Sequence, residues 1–333
     1  MVSLGTLTAF VLLFGRFFTP LVNLGDEWQS VQAALAGAER VFAVLDLPTD
    51  RPEDAAVPSS KTRARTTTPA SDDAVAALAL DGVTFGYDRD QPPVLHDLRL
   101  RVRPGQHVAL IGRTGAGKST VLSLFGGLYA PWSGEVQIAG RDPRSLDDEQ
   151  RRALIGFVSQ SVSLFPGTVT DNITLADPDL GPVEVERAAE IAGADRFIAA
   201  LPDGYATVLS DADRGSGVQL SAGQRQLLAL ARALVRRPHV LLLDEATAVI
   251  DGSSEAAFRD ALRRHVLPTG TSVLTVAHRL ATAKDADHVV FLSSGHVVEE
   301  GPPARLLADG GRFADLVALE QTGWDWTLTP GAD

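Results

Sequence analysis

The chain has 333 residues, 45% of them hydrophobic and 22% charged, the range of ordinary globular proteins with a core to bury, arranged as one large domain or two smaller ones. Its 42 acidic residues outnumber 30 basic ones, for a net charge of -12, which argues against a nucleic-acid-binding surface as its main business. It has no cysteine, and its seven histidines are scattered, which excludes disulfides and thiolate metal sites and leaves no zinc-type cluster.

Val2 to Leu24 is strongly apolar. A helix of this length, at about 1.5 Å per residue, just covers a hydrocarbon core of about 30 Å; a buried helix is the other reading. Gly15-Arg16 and Pro20 interrupt the run. In lipid, Arg16 has to face a cavity, a partner helix or the interface. A basic leader and a small-residue cleavage site, the marks of a signal peptide, are both missing. From Asp26 to Asp46, Trp28, Val31, Leu35, Ala38, Phe42 and Leu45 recur at steps of three and four, which predicts a helix with one apolar stripe. Leu47-Pro48 ends it. Thr49 to Asp73, rich in Pro, Ser, Thr, Ala and charge, reads as a linker.

A globular domain is expected from Ala74. Leu78 to Phe85 and Leu98 to Val102 alternate like half-buried strands, and Glu135 to Ile138 and Ile155 to Ser159 read as further short strands. Val183 to Ala200 and Ser221 to Val235 have helical periodicity, whereas His107 to Ile111, Val240 to Leu243, Ser272 to Ala277 and His288 to Leu292 are aliphatic runs. Helices between such strands imply an α/β fold, a mostly parallel sheet covered on both faces. The early alternating strands add an antiparallel piece.

The chemistry begins at Gly112-Arg113-Thr114-Gly115-Ala116-Gly117-Lys118-Ser119-Thr120, between one apolar run and the next. This is G-x-x-x-x-G-K-[ST], the P-loop. Its glycines let successive backbone N–H groups point inward at phosphate oxygens, and a helix starting near Lys118 adds its positive dipole end. Lys118 reaches the β- and γ-phosphates of a nucleoside triphosphate and Ser119 holds Mg²⁺. Asp244 closes the strand Val240 to Leu243, the Walker B position for a second Mg²⁺ ligand. Glu245 follows at once, placed to take a proton from an attacking water. Leu220-Ser221-Ala222-Gly223-Gln224 precedes an aliphatic helix. On its own it reads as an N-cap, with Ser221 accepting from the N–H groups that follow.

Together, the P-loop, Asp244-Glu245 and Ser221-Ala222-Gly223-Gln224 resemble the motif set of ATP-binding cassette (ABC) ATPases. The resemblance runs from Leu78 to about Leu319. It implies a RecA-like core sheet, an antiparallel β subdomain and a helical subdomain. It also implies a head-to-tail dimer with a second cassette, identical or different, in which the signature at Ser221 faces the ATP of the other chain. Tyr87, by itself more simply a structural aromatic, is similar to the residue that stacks on adenine. Gln160 is similar to the Q-loop glutamine, which touches Mg²⁺ and water; Asp251 to the D-loop aspartate, which contacts the opposite cassette; and His278 to the switch histidine, which bonds the γ-phosphate. Two places depart from the family: Ala222 stands where it commonly has glycine, and Ser210 to Gln219 lacks its Gly-Glu-x-Gly run.

The resemblance gives the front of the chain a meaning too. Residues 1–47 are similar to the last transmembrane helix of an exporter and its cytoplasmic extension, partly transmembrane and lacking the five helices before it. Residues 48–74 are then a linker, 75–320 the ATP-binding domain and 321–333 a tail containing Trp324 and Trp326. The expected function is the ATP-hydrolysing subunit of an ABC exporter at the cell membrane, cassette on the cytoplasmic side, partnered by transmembrane helices and not by nucleic acid. The other readings are a soluble ABC ATPase outside transport and an incomplete transporter that binds ATP alone.

Overall fold

The structure, a computed structural model, describes residues 4–45, 75–210, 217–244, 252–277 and 279–321. The chain divides into two compact units, Met1–Arg63 and Ala64–Asp333. The first holds one helix, α1 (Leu4–Leu45). The two helical stretches expected from the sequence are thus one, and it continues through Pro20. Phe10, Leu12, Leu13, Phe14, Phe17 and Trp28 lie exposed along it. Among the described residues no helix is long and apolar enough to cross a membrane. The linker expected over 48–74 and the tail tryptophans Trp324 and Trp326 lie outside the described residues.

The second unit opens with β1 (Leu78–Phe85), β2 (Leu95–Val102), β3 (His107–Gly112), α2 (Lys118–Phe125) and β4 (Ser133–Ile138). It continues through α3 (Asp148–Leu154), β5 (Ile155–Val158), β6 (Gly167–Thr168), α4 (Val169–Thr174), α5 (Pro182–Ala192), α6 (Asp195–Ala199) and β7 (Val208–Leu209). Then come α7 (Ala222–Leu234), β8 (Val240–Asp244), α8 (Gly252–Ala261), β9 (Ser272–Val276), α9 (Leu280–Lys284), β10 (His288–Ser293), β11 (His296–Gly301), α10 (Pro303–Asp309) and α11 (Arg312–Gln321).

Three sheets result, with strand orders β2-β1-β4, β11-β10-β3-β9-β8-β5 and β6-β7. The first is antiparallel, as the alternation implied: Leu95, Leu98, Leu100 and Val102 of β2 face inward while Asp97, Arg99 and Arg101 face water. In the second, β10, β3, β9, β8 and β5 are parallel and only β11 runs against its neighbour. Strands β3 and β9 are buried along their whole length, and β8 up to Leu243, which explains the unbroken aliphatic runs. One core cluster lies between the antiparallel sheet and the core sheet, built on residues such as Leu80, Leu98, Val121 and Phe125. A second gathers α4, α5 and α7 around Ile173, Ala189 and Leu230, and a third holds Leu280, Leu306 and Phe313 against Ile111.

The helix expected over Val183 to Ala200 is two helices. Gly193 adopts φ 71° and ends α5, its N–H donating to the carbonyls of Ala189 and Glu190, the left-handed cap that glycine adopts without strain.

Candidate active site

The carboxyl ends of β3, β9, β8 and β5 meet at one edge of the core sheet, where open α/β sheets hold their ligands. Register puts Leu110 beside Val276, Val276 beside Asp244, and Leu243 beside Val158. Gly112, Asp244 and Gln160, far apart in sequence, therefore emerge side by side.

At Gly112 the chain turns out of β3 with φ 150°, and a Cβ there would stand 2.2 Å from the carbonyl oxygen of Leu292 on β10. Gly117 caps α2 with φ 101°, and a Cβ there would meet the Leu95 side chain at 2.6 Å. Gly115 has φ 83° and open space around it. The first two positions thus require glycine for both space and conformation, Gly115 for conformation alone. Arg113 through Ala116 form the arc between. The Lys118 side chain is buried across it, its ammonium donating to the carbonyls of Gly112 at 2.7 Å and Arg113 at 3.0 Å. A cation is thereby held within the loop at the start of a helix, a combination suited to a polyphosphate.

Ser119 follows on the first turn of α2, and its Oγ donates to Asp244 Oδ1 at 3.5 Å. These residues, 125 apart in sequence, set two hard oxygens at the mouth of the loop. Mg²⁺ takes such donors and completes its shell with water and substrate phosphates. Among the described residues no group of three or more His, Cys, Asp or Glu could hold a metal by itself. Gln160 stands exposed two residues beyond β5 and has partners of its own. Tyr87 lies over the start of α2, its hydroxyl sharing a hydrogen bond with Thr120 Oγ1 at 3.0 Å.

Ser221 caps α7, as its sequence implied. Its Oγ accepts from the Gln224 N–H at 3.2 Å, and the Gln224 side chain accepts from the Ser221 N–H at 2.9 Å, a capping box. Ala222 opens the helix. Gly223 is buried against α8, where a Cβ would meet Ser254 Oγ at 2.2 Å. Among the described residues no hydrogen bond joins Ser221–Gln224 to the P-loop of the same chain. Glu245, Asp251 and His278 lie outside the described residues. The residues flanking those stretches are tied together: Arg279, next after His278, pairs with Glu255 of α8, which also faces Arg259 at 3.7 Å.

Sequence motifs did not mark the residues that brace this site. Arg232 near the end of α7 donates to the carbonyl of Asn172 at 2.7 Å, to its side-chain oxygen at 3.3 Å and to the carbonyl of Ser163 at 3.2 Å, and lies over the Phe165 ring. Burial lowers its pKa. Asn172, fully buried, bonds Phe165 and Thr168 in turn. The segment after Gln160 is thus fastened to the helix that Ser221 caps.

Residues 95–248 match the family model described as ABC transporter. The chain is 39% identical over 321 residues to the mycobactin import ATP-binding/permease protein IrtB of Mycolicibacterium smegmatis, covering 96% of this chain and 52% of that protein. It is 36% identical over 315 residues to a fatty acid ABC transporter ATP-binding/permease protein of Mycobacterium tuberculosis, covering 95% and 47%. A solved bacterial Atm1-family ABC exporter with ATP bound is similar with a TM-score of 0.70 and 32% identity, over 96% of this chain and 51% of that one. The chain spans about half the length of the curated relatives it matches. A parallel sheet ending in a P-loop, an antiparallel sheet beside it, a helical bundle carrying a capped Ser221 and these likenesses together identify residues 95–248 as an ABC transporter domain, in a chain similar to ABC ATP-binding/permease proteins.

Proposed function

We propose that this chain is the ATP-binding and ATP-hydrolysing part of an exporter-type transporter, working at the cell membrane with its cassette on the cytoplasmic side. In this reading residues 1–47 are the last transmembrane helix and its cytoplasmic extension, 48–74 a linker, 75–320 the cassette and 321–333 the tail. The convergence of Ser119 and Asp244 beside the buried Lys118 ammonium carries the proposal. Ser119 and Asp244 would hold Mg²⁺, which would offset the negative charge of the phosphates. Lys118 and the N–H groups of Gly112 through Ser119 hold the phosphates, and Tyr87 offers its ring to the adenine. Glu245 takes the proton of the attacking water, while Gln160 and His278 orient water and γ-phosphate. Ser221 through Gln224, capping α7 and unbonded to their own P-loop, present N–H groups to the ATP of a second cassette, and Asp251 meets that cassette as well. IrtB is named for import, whereas a relative 36% identical, CyaB of Bordetella pertussis, is named for cyclolysin secretion. Cargo and direction therefore belong to the membrane helices and not to the cassette.

The test is a pair of variants of the full chain. Lys118→Ala should weaken ATP·Mg²⁺ binding at least tenfold in calorimetry, since the phosphates lose their local cation. Glu245→Gln should keep binding, lose hydrolysis and raise the ATP-dependent dimer in light scattering. Unchanged affinity in the first, or undiminished turnover in the second, overturns the proposal.

A further inference from the structure

The base end of the candidate site rests on a residue that no motif contains. Tyr87 is 59% exposed and meets two other rings edge-on: Phe85 at 5.2 Å and 81°, and Tyr129 at 5.3 Å and 87°. Phe85 is buried and meets Tyr129 in turn at 5.5 Å. Edge-to-face contact at these separations suits the quadrupoles of aromatic rings. Phe85 is the floor of the cluster, and Tyr129 is its outer wall.

Tyr129 belongs to the turn that leaves α2. That turn is fixed to the Tyr87 loop at a second point: the Trp132 N–H donates to the Thr84 carbonyl at 2.8 Å. The Trp132 indole covers Gly86, where a Cβ would stand 2.7 Å from the ring. Tyr87 is therefore held from both ends of one helix. Its hydroxyl bonds Thr120 in the first turn of α2, and its ring meets Tyr129 beyond the last. Lys118 and Ser119, the phosphate-binding residues proposed above, sit in that same first turn, so α2 sets the separation between phosphate cradle and aromatic platform.

We infer that Tyr129 is a positioning residue for nucleotide recognition: it holds the Tyr87 ring at the angle a purine base stacks on, while contributing nothing to the phosphates. The inference rests on the reading of Tyr87 as the base platform. Without the Tyr129 ring, one side of Tyr87 opens to solvent and its aligned face is lost. Without its hydroxyl, both ring contacts remain.

The experiment titrates the full chain calorimetrically with Mg·ATP and with Mg·tripolyphosphate, a phosphate chain with no base. Tyr129→Ala should weaken ATP about three- to tenfold, the fold-change an aromatic pair is worth, and leave tripolyphosphate within about twofold. Tyr129→Phe should bind like wild type. Tyr87→Ala with Tyr129→Ala should be no weaker for ATP than Tyr87→Ala alone, because Tyr129 acts through Tyr87. An equal loss for both ligands, or a further loss in the Tyr87→Ala background, overturns the inference. So does unchanged ATP affinity in Tyr129→Ala when Tyr87→Ala itself is weakened. If Tyr87→Ala also leaves ATP binding intact, the platform reading fails and takes the inference with it, while tripolyphosphate still reports the phosphate site.

Discussion

His107 opens β3, the strand that ends in the P-loop, and it should make the cassette sensitive to acid. Its side chain is 4% exposed, Nε2 shares a hydrogen bond with Thr275 Oγ1 at 3.0 Å, and its backbone N–H donates to the Asp287 carboxylate at 2.9 Å. Burial pushes the imidazole down from 6.5 to about 4, with Asp287 and Asp285 pulling weakly the other way. The unfolded chain therefore takes up a proton as pH falls through 6.5, while the fold declines it until about 4. Stability from this residue is complete above the unfolded value and is lost progressively across that window: about 2 kcal/mol by pH 5, and about 3 kcal/mol in all. Urea unfolding of the full chain by circular dichroism, from pH 8 down to pH 5, should show that loss. His107→Gln, which retains a polar partner for Thr275, should fall by about 2 kcal/mol less over the same range. An NMR titration of wild type checks the cause directly, since the His107 ring should stay neutral at pH 5. Parallel losses in both proteins, or a ring that protonates near 6.5, would refute the reasoning.

Two further outcomes follow from packing. Gly112→Ala should destabilise the cassette by more than about 3 kcal/mol, because its methyl would collide with the Leu292 backbone, whereas Gly115→Ala, strained but unobstructed, should cost about 1 kcal/mol; denaturation midpoints of the two variants separate the effects. Arg232→Met should cost about 2 to 4 kcal/mol by leaving the Asn172 and Ser163 carbonyls without their donor, measured the same way, with Arg232→Lys recovering only part because an ammonium cannot span all three acceptors.

Where the fold was legible in the sequence, burial or a backbone conformation dictated residue type locally. Strands β3, β8 and β9 had to be aliphatic because both faces are covered, and β2 had to alternate because one face is wet. What was missed had weaker local marks. Strand β11 is half-exposed and carries Glu299 and Glu300, so its period stood out little. Its signal was the turn before it: Ser294 and Gly295 both take positive φ, 46° and 77°, between paired Ser293 and His296, a two-residue hairpin of the primed kind. The reverse error occurred over Val183 to Ala200, expected as one helical stretch, where Gly193 is a left-handed stop.

The candidate site divides the same way. The phosphate cradle is legible because its work is done by consecutive backbone groups, so the order of glycines, Lys118 and Ser119 is itself the geometry. Asp244 is legible because a strand end in a parallel sheet has one destination. Tyr129, Asn172 and Arg232 are not, because each acts through a partner distant in sequence: Tyr129 through Tyr87, and Arg232 through Asn172, 60 residues before it. A tyrosine in a turn or an arginine late in a helix is compatible with many folds. Only the packing of α2 against the Tyr87 loop, and of α7 against the segment after Gln160, gives those side chains a role. That difference also bears on how such a cassette changes under mutation. Substitutions in the P-loop act on phosphate binding at once, whereas those at Tyr129 or Arg232 act on the placement of Tyr87 or of the segment after Gln160. Their effects should therefore be read in base selectivity and in stability before they are read in phosphate affinity.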